Sequence, residues 1–364
     1  MNRYVIFSNA SGYGGAEKSL ELIVKQLALN NAKTAITIFA ENDRHIEALK
    51  NIDGVNVIRL LKGNGMATTL FNLWKVFRTI KRIQSSYILT NTNKGAMYLS
   101  LISRIYSVQQ DRVIVYIRDF QWKYAKFILN NLSKVNIAVP SRAVLDNLNY
   151  KMLLRNYKIF ETGNIVEQNL LVEADDDIHD QYILCLANIS RWKGIIYLLE
   201  SYKKSKVWEK GIKLQIAGKI MDQEYFQNLT DYVKKNKLSS FVIFKNFATN
   251  TKSLYKSCLF VVNSSISDYG GPETFGRTII EAWSFHKAPI SFNVGGPKYI
   301  IKNGYNGILV EEKDVDSYSV AIQKLAYNKT VRNQLAENGY MESRTKYSDE
   351  AVVKRLTDIW KGSN

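Results

Sequence analysis

The sequence has 364 residues, of which 46% are hydrophobic and 23% are charged. This length exceeds the size at which one hydrophobic core usually keeps growing, and the composition excludes a disordered chain, so we expect two globular domains. The net charge is +17, and residues 1–167 carry 23 Lys and Arg against 11 Asp and Glu, net +12. We therefore expect an anionic partner for the first half, such as a phospholipid surface, a diphosphate-linked acceptor or nucleic acid, unless the charge serves solubility alone.

Cysteine placement and apolar run length indicate a cytoplasmic protein. Cys185 and Cys258 each lie in an apolar run, where a buried thiol behaves as a small hydrophobe. No basic segment with an apolar stretch and a small-residue cleavage site opens the sequence, and no apolar run reaches membrane-spanning length. We expect the protein in the cytoplasm, with a peripheral position at the inner membrane face as a further expectation.

The first half has the pattern of one doubly wound domain. Residues 4–8 form an apolar run, and after it come glycines at 12, 14 and 15 and then a helical pattern. This order predicts a strand, a glycine loop and a helix. Further strand-like runs alternate with helical stretches; they span residues 35–39, 87–90, 113–117 and 136–139. This alternation predicts a parallel sheet with helices on both faces, in a domain of residues 1–167.

The second half repeats this pattern after a break. Periodicity disappears over residues 168–180, which we interpret as the linker. Strand-like runs then recur within a second domain of residues 181–347; they span residues 182–186, 214–217, 241–244, 259–262, 288–292 and 308–310. Residues 348–364 are predicted to form a final helix, and a return of this helix to the first domain is one arrangement that we consider.

Residues 71–83 predict a basic amphipathic helix. Apolar residues mark one face and basic residues surround the polar side; the two sets are Phe71, Trp74, Phe77 and Ile80, and Lys75, Arg78, Lys81 and Arg82. The simpler interpretation is an ordinary domain helix with its apolar side inward. The alternative is a helix that lies on anionic lipid, which the charge asymmetry favours.

Two carboxylates stand out in the second half. Glu273 and Glu281 are separated by seven residues just after the strand-like run 259–262. Glycine and proline place Glu273 in a loop, while Ile279 and Ile280 place Glu281 one to two turns into a helix. A carboxylate can accept hydrogen bonds from both hydroxyls of a vicinal diol, and a helix start suits a diphosphate. The pattern predicts a nucleotide-sugar site, against the alternative of two unrelated surface glutamates.

This pattern, followed by an apolar strand and Gly295-Gly296, resembles the retaining GT-B glycosyltransferases of family four, also called glycosyl transferases group 1. The resemblance implies two doubly wound Rossmann-like domains that face a central cleft, with donor on the second and acceptor on the first. It also implies that Glu273 contacts the donor sugar hydroxyls and that Glu281 holds the ribose diol. Further donor contacts would come from Thr274, Phe275 and Gly276.

Residues 187–194 resemble the family loop that supplies an arginine and a lysine to the donor diphosphate. Lys193 aligns with that lysine. The arginine position is occupied by Asn188, so Arg191 provides the second cation or the diphosphate clamp lacks one. With Glu273, these two cations form the expected catalytic set, and Asn188 is grouped with the donor-binding residues. An unrelated basic pair on the surface is the alternative.

The resemblance also marks two places in the first domain. It places Gly14 and Gly15 beside the donor phosphates and the acceptor, whereas a tight turn is the structural alternative. Their spacing is not that of a dinucleotide-binding loop. Arg118 and Asp119 follow a strand, and many family members have histidine where Arg118 stands. Arg118 either meets an anionic acceptor or forms an ion pair with Asp119.

The sequence thus predicts a metal-independent, retaining hexosyltransferase without a cofactor, which uses a nucleoside-diphosphate sugar, first of all a UDP-sugar. The resembling enzymes let the leaving phosphate accept the proton, and the histidines and cysteines show no metal-ligand spacing. The expected acceptor is a glycan or a lipid-linked glycan of cell-surface polysaccharide assembly. A GT-B nucleotide-sugar epimerase or phosphorylase and a basic nucleic-acid-binding protein are the alternatives, although no nucleic-acid-binding motif occurs and no nucleic acid is expected.

Overall fold

The structure is a computed structural model that describes residues 2–30, 34–63, 65–84, 87–148, 151–167, 182–245 and 251–363. Its contacts divide the chain into two compact units. The first unit comprises residues 1–167 and 348–364, and the second comprises residues 168–347. The predicted linker, residues 168–180, lies outside the described residues.

The first unit contains a parallel sheet of seven strands. In chain order they are β1 Arg3–Ser8, β2 Ala35–Ala40, β3 Val55–Arg59, β4 Tyr87–Thr90, β5 Val113–Tyr116, β6 Asn136–Val139 and β7 Ile159–Glu161. Their order in the sheet is β3-β2-β1-β4-β5-β6-β7. Strands β3 and β7 are additions to the predicted set. They lie at the two edges, where partial exposure replaces the continuous apolar run of a central strand.

Helices cover both faces of this sheet. The first six are α1 Gly15–Leu29, α2 Asp43–Lys50, α3 Met66–Ile83, α4 Asn93–Ile102, α5 Ala125–Asn131 and α6 Arg142–Asn147. Two separate groups of buried apolar side chains lie against the unit's strands and helices, which is the arrangement of a doubly wound fold.

The second unit contains a parallel sheet of six strands. They are β8 Tyr182–Leu186, β9 Lys213–Ala217, β10 Val242–Lys245, β11 Phe260–Asn263, β12 Pro289–Phe292 and β13 Ile308–Val310. Their order is β10-β9-β8-β11-β12-β13. The connecting helices are α7 Ile195–Ser205, α8 Gln223–Lys235, α9 Thr251–Ser257, α10 Arg277–Ser284, α11 Pro297–Ile300, α12 Val315–Tyr327 and α13 Lys329–Lys346.

The last helix, α14 Asp349–Lys361, belongs to the first unit. The Ser348 hydroxyl caps its start by accepting from the Ala351 N–H at 3.0 Å. Trp360 is 2% exposed, donates from its indole N–H to the Ile88 carbonyl at 3.1 Å, and packs against the Tyr4 and Tyr87 rings. The aromatic side chain is therefore a structural anchor for the end of the chain.

Helix α3 differs from the simpler sequence interpretation. Val76 and Ile80 are buried, whereas Phe71 and Trp74 are 45% and 53% exposed, so the prediction of one inward apolar face was wrong for the first half of the helix. The reason is Asn72, which takes a buried position. Its side-chain amide bonds both the N–H and the carbonyl of Leu61 at 2.9 Å and so fixes which face turns inward.

Among the helices in the described parts of the chain, none combines the length and the apolarity that are needed to span a bilayer.

Candidate active site

Each sheet reverses its strand order at one point, and several of the candidate site residues lie in the loops that follow the strands at that point. In the second unit the reversal lies between β8 and β11, and in the first it lies between β1 and β4. Open parallel sheets bind ligands beyond the carboxyl ends of the strands at such a point. The loops that follow these four strands are therefore the places where the fold favours a ligand.

A short helical turn, Arg191–Lys193, follows β8 and is bound to the loop that follows β11. The Ile266 N–H donates to the Trp192 carbonyl at 2.9 Å, and the Ser264 hydroxyl donates to the Lys193 carbonyl at 2.9 Å. Gly194 has a φ of +58°, and a Cβ there would lie 2.1 Å from the Ser264 carbonyl oxygen. The glycine thus permits the close approach that fixes Lys193 beside the β11 loop.

The loop that carries Glu273 is held by the glycine pair after β12. The Gly296 N–H donates to the Glu273 carbonyl at 2.7 Å. A Cβ on Gly295 would lie 2.5 Å from that same carbonyl oxygen, and one on Gly296 would lie 2.2 Å from the Cα of Phe275. Phe275, two residues after Glu273, is 3% exposed and anchors the loop in the core. The glycines that contributed to the family resemblance therefore have a packing role.

Lys193 and Glu273 form an ion pair. The lysine Nζ donates to Oε1 of the glutamate, and Ser265 Oγ donates to the same oxygen at 3.2 Å. The two side chains are only 12% and 18% exposed, and Nζ lies 3.8 Å from the centre of the Trp192 ring. A cation in this sheltered position can neutralise an incoming phosphate, while the carboxylate retains lone pairs for hydroxyl groups.

Glu281 lies in the second turn of α10, and both of its oxygens are engaged. Tyr255 donates its hydroxyl to Oε2 at 2.8 Å, and Arg277 donates from Nε and Nη2 to Oε1 at 2.9 and 2.8 Å. Burial, and then the charge of Glu281, raise the pKa of Tyr255 well above its ordinary value. The tyrosine is therefore a permanent donor that orients the carboxylate, and Oε2 keeps a second lone pair for a ligand hydroxyl.

The structure separates Arg191 from the Lys193–Glu273 pair. Its guanidinium contacts Asp222 at 3.0 Å and Glu224 at 3.1 Å. The hydrogen bonds that the guanidinium donates to Glu224 and then to Asp222 raise the pKa of Arg191. A diphosphate would have to compete with two carboxylates for this cation. Asn188, at the position where the family resemblance places arginine, is exposed.

The loop between Glu273 and α10 contains the remaining donor-binding candidates. Thr274 is partly buried, and Gly276 has a φ of +93°, the left-handed conformation that precedes the first residue of α10. Helix starts present N–H groups that lack partners within the helix. The structure thus places the backbone of residues 274–276 between the two glutamates along the chain.

In the first unit, Gly14 caps α1 in an extended conformation with a φ of −153°. A Cβ there would lie 3.7 Å from a Glu17 carboxylate oxygen, an ordinary contact, and neither φ nor packing demands glycine. This disfavours the tight-turn interpretation of Gly14. Gly15, the first residue of α1, is exposed like Gly14.

Buried amides flank the reversal point of the first sheet. Asn9 follows β1 and accepts from the Thr92 hydroxyl at 2.7 Å, while Asn91 follows β4 and accepts from Arg118 Nε at 2.7 Å. Among the described residues, no hydrogen-bond acceptor faces the Nδ2 atom of either asparagine, although both atoms are buried. Sequence reasoning missed this pair, although a polar residue directly after each apolar strand was a readable signal.

Arg118 and Asp119 extend this group of side chains. The Arg118 guanidinium is 9% exposed and lies 3.9 Å above the Tyr116 ring. Asp119 is exposed at one side, and desolvation by the surrounding protein nevertheless raises its pKa, with Glu17 adding to the rise and Arg118 opposing it. The group thus offers two amide donors, a guanidinium and a carboxylate of raised pKa.

A second buried network supports the glycine loop. His45 Nε2 lies 3.0 Å from the Ser8 hydroxyl, and Nδ1 lies 2.7 Å from Oε1 of Glu21. The Tyr13 hydroxyl donates to Oε2 of Glu21 at 3.1 Å, and Asn42 donates to the Ser11 carbonyl at 2.9 Å. The start of α2 therefore fixes the loop after β1. Sequence reasoning treated His45 only as a metal candidate, since its partners are distant in sequence.

Among the residues whose placement is described, no three His, Cys, Asp or Glu side chains are grouped as a metal site would require.

Comparison with known proteins agrees with this geometry. The family model for glycosyl transferases group 1 matches residues 173–342. An uncharacterized glycosyltransferase of Methanocaldococcus jannaschii is 24% identical over 95% of this chain and 94% of its own length. The capsular polysaccharide biosynthesis glycosyltransferase CapM of Staphylococcus aureus is 21% identical over 94% of each chain.

A solved structure shows the same fold. Anabaena HepE, crystallised with UDP-glucose, superposes with a TM-score of 0.81 at 17% identity over 99% of both chains. The two sheets, their reversal points and this similarity confirm the predicted fold class. The chain is therefore a glycosyltransferase of the GT-B fold, and residues 173–342 of its second unit match the glycosyl transferases group 1 model.

Proposed function

We propose that the protein transfers a hexosyl group from a nucleoside-diphosphate sugar, first of all a UDP-sugar, to a glycan or lipid-linked acceptor with retention of configuration. The observation that carries this proposal is the sheltered pairing of Lys193 with Glu273 where the second sheet reverses its strand order. This pairing supports the proposal, because a lysine cation suits a phosphate and a carboxylate suits sugar hydroxyls.

In this proposal the predicted second domain, residues 181–347, binds the donor. The diphosphate takes Lys193 from Glu273, and the freed carboxylate accepts from the sugar hydroxyls. Glu281, oriented by Tyr255 and Arg277, accepts from the ribose diol. Thr274, Phe275 and Gly276 contribute backbone N–H groups, and Asn188 borders the nucleotide. Such preorganised donors act most strongly on the charge that develops as the nucleoside diphosphate leaves.

Arg191 is the second cation of the proposed site, and its contribution is smaller than that of Lys193. Both belong to the same short turn, but Arg191 starts from contacts with Asp222 and Glu224. In this proposal Arg191 keeps its contacts with Asp222 and Glu224 and acts on the diphosphate only through its charge. The direct phosphate contact is assigned to Lys193.

The first unit is proposed to bind the acceptor. Gly14 and Gly15 leave room at the start of α1. The side-chain amides of Asn9 and Asn91 have N–H groups for which the described residues offer no acceptor, so these groups can bind the acceptor substrate. Arg118 and Asp119 lie in the same group and complete it with charge. Since CapM acts in capsular polysaccharide biosynthesis, an acceptor from cell-surface polysaccharide assembly at the inner membrane face is the corresponding proposal for this chain.

The proposed transfer needs no metal ion and no separate general base. Lys193 neutralises the leaving diphosphate, which is the task that a divalent ion performs in other transferases. The departing phosphate accepts the proton of the acceptor hydroxyl on the same face of the sugar, which retains the configuration. Chelator would then leave the rate unchanged.

A donor screen tests the proposal. Thermal unfolding of the protein is followed with UDP-, GDP- and ADP-sugars, because a ligand that binds only the folded state raises its stability. The sugar that gives the largest shift is then incubated with and without acceptor glycan. Sugar transfer that depends on the acceptor supports the proposal. Donor conversion without an acceptor would indicate an epimerase, phosphate-dependent cleavage a phosphorylase, and a shift with RNA alone a nucleic-acid-binding protein.

A further inference from the structure

The first half of α3 presents large apolar side chains to solvent. Met66 is 81% exposed, Leu70 60%, Phe71 45% and Trp74 53%. The Phe71 and Trp74 rings lie 6.0 Å apart, so the four residues include a contiguous aromatic pair. Single exposed apolar residues are ordinary, but a cluster of this kind marks an interaction surface.

The second half of the same helix presents cations. Arg78, Lys81 and Arg82 are exposed, and the Arg78 guanidinium lies 5.4 Å from the centre of the Trp74 ring. No carboxylate among the described residues forms a salt bridge with any of the three. They are therefore available to an external anion.

Both groups share one side of the helix. At about 100° per residue, the positions from Met66 through Trp74 to Arg82 fall within an arc of about 160°, opposite to Asn72 and Val76. The outward face therefore has an apolar first half and a basic second half. We call this face, defined by residues 66, 70, 71, 74, 78, 81 and 82, the α3 outer face.

The chain around this face lacks negative charge. Residues 54–110 contain no Asp or Glu and eight Lys or Arg. A protein partner of ordinary composition would not require a stretch of this length without carboxylates, whereas an anionic surface attracts all of it. Apolar side chains that include Trp and Phe, flanked by Lys and Arg, are what an interfacial helix places at the boundary of a bilayer.

We infer that the α3 outer face docks on an anionic phospholipid bilayer, with Met66, Leu70, Phe71 and Trp74 at the acyl boundary and Arg78, Lys81 and Arg82 at the phosphates. This inference extends the proposed function, because a docked first unit would meet lipid-linked acceptors at the membrane surface. Docking itself requires neither donor nor acceptor.

Flotation with vesicles tests the inference. The full chain is mixed with phosphatidylcholine vesicles that contain phosphatidylglycerol, and with phosphatidylcholine vesicles alone. The expected result is binding to the anionic vesicles, weakened by added salt, and little binding to the neutral ones. Absence of binding to the anionic vesicles would overturn the inference.

Two variants assign the binding to the face. Phe71→Ser with Trp74→Ser removes the aromatic pair, and Lys81→Glu with Arg82→Glu reverses two charges. Each should lower the partition coefficient about tenfold or more. Retained binding in the aromatic variant would contradict apolar insertion, and retained binding in the charge variant would contradict docking through these cations.

Matched controls come from the second unit. Val320→Ser with Tyr327→Ser removes two apolar side chains that are 61% and 57% exposed on α12, and Lys234→Glu with Lys235→Glu reverses two exposed charges on α8. Both controls should bind vesicles like the wild type. Equal losses in the controls would indicate a general charge or solubility effect and would overturn the assignment to α3.

Two further readouts separate the explanations. Urea unfolding and the donor-induced thermal shift should be unchanged in the α3 variants, which distinguishes lost docking from misfolding. Because flotation contains no sugar nucleotide, a failure of the proposed transfer leaves the docking result intact, and the reverse holds too. A different outcome is that the chain does not bind vesicles but self-associates as its concentration rises, and that the Phe71 and Trp74 changes abolish this self-association. That outcome would show that a second copy of the chain covers the α3 outer face, and it would overturn the lipid assignment.

Discussion

Lys193 and Glu273 are eighty residues apart in sequence, and their side chains form one ion pair. Each follows a strand that borders the reversal point of the second sheet, and the β11 loop binds both the Lys193 carbonyl and the Glu273 carboxylate. In the proposed function, the two charges neutralise each other without ligand, and the pair separates into a phosphate site and a hydroxyl site when a sugar nucleotide enters. This exchange is the basis of the proposed activity.

Replacement of Lys193 by Ala should lower kcat/KM by about 100- to 1000-fold, the usual effect of deleting one preorganised contact to developing charge. Steady-state kinetics with the identified donor measure it. Lys204→Ala is the matched control, since Lys204 also pairs with a carboxylate, Asp316, but at an exposed position on α7. Equal kinetics for the Lys193 variant and this control would defeat the assignment.

Arg191→Ala should cost less, about tenfold or below, because the guanidinium is held by Asp222 and Glu224 before any donor binds. The comparison of kcat/KM between the Arg191 and Lys193 variants measures the division of labour between the two cations. If the Arg191 variant were the more damaged of the two, Arg191 would be the principal phosphate contact and the structural argument would be wrong.

Tyr255→Phe should raise the donor KM about tenfold and leave kcat nearly unchanged. The change removes one hydrogen bond to Glu281 in a buried setting, where such a bond contributes on the order of 1–1.5 kcal/mol. Ground-state binding of the ribose would suffer while the chemical step would not. A fall in kcat at constant KM would place Glu281 in the reaction rather than in nucleotide binding.

The sequence predicted the doubly wound halves because central parallel strands are buried on both faces and appear as apolar runs. The edge strands β3 and β7 were not predicted, because partial exposure interrupts the apolar run. Glu273 and Glu281 were predicted from their spacing, and Lys193 from the resemblance of its loop to that of the family. Their partners Ser265 and Tyr255 were not, because only the fold brings them to these carboxylates.

The inward face of α3 shows a different reason for failure. The positions of the apolar residues predicted that Phe71 and Trp74 face the core, yet Asn72 is the buried residue and these two rings are exposed. The buried side-chain amide of Asn72 is hydrogen-bonded to both the N–H and the carbonyl of Leu61, and the apolar periodicity of a helix does not predict such a contact. The same reasoning explains why His45 could not be placed from the sequence, because its partners Ser8 and Glu21 are distant along the chain.

His45→Ala should destabilise the protein by about 2–4 kcal/mol, because it opens a buried cavity and removes the ring that bonds both Ser8 and Glu21. Urea unfolding at neutral pH measures the free energy of unfolding. His286→Ala serves as the control, since His286 is partly exposed beside Glu337 and should cost less. Equal losses in the two variants would contradict a supporting role for the buried network.

Glu342 makes stability depend on acid pH. Burial acts to raise its pKa, but hydrogen bonds and charge from Lys346, with Asn306 and Lys302, outweigh burial and lower the pKa below the ordinary value of 4.5. The folded pKa is below the unfolded one, so the contribution is present above the unfolded pKa and is lost as pH falls through the folded pKa.

The corresponding measurement is urea unfolding of the wild type and of Glu342→Gln between neutral pH and about pH 3. The wild type should lose stability relative to the variant over the lower part of this range, because the variant has no carboxylate to protonate. Parallel curves for the two proteins would show that Glu342 has the same pKa in both states.

A crystal structure of the protein with the sugar nucleotide that gives the largest thermal shift would examine the Lys193–Glu273 exchange itself. The expected result is a diphosphate oxygen within hydrogen-bond distance of Lys193 Nζ, sugar hydroxyls at Glu273 and the ribose diol at Glu281. A nucleotide bound elsewhere, with the Lys193–Glu273 ion pair still closed, would contradict the account.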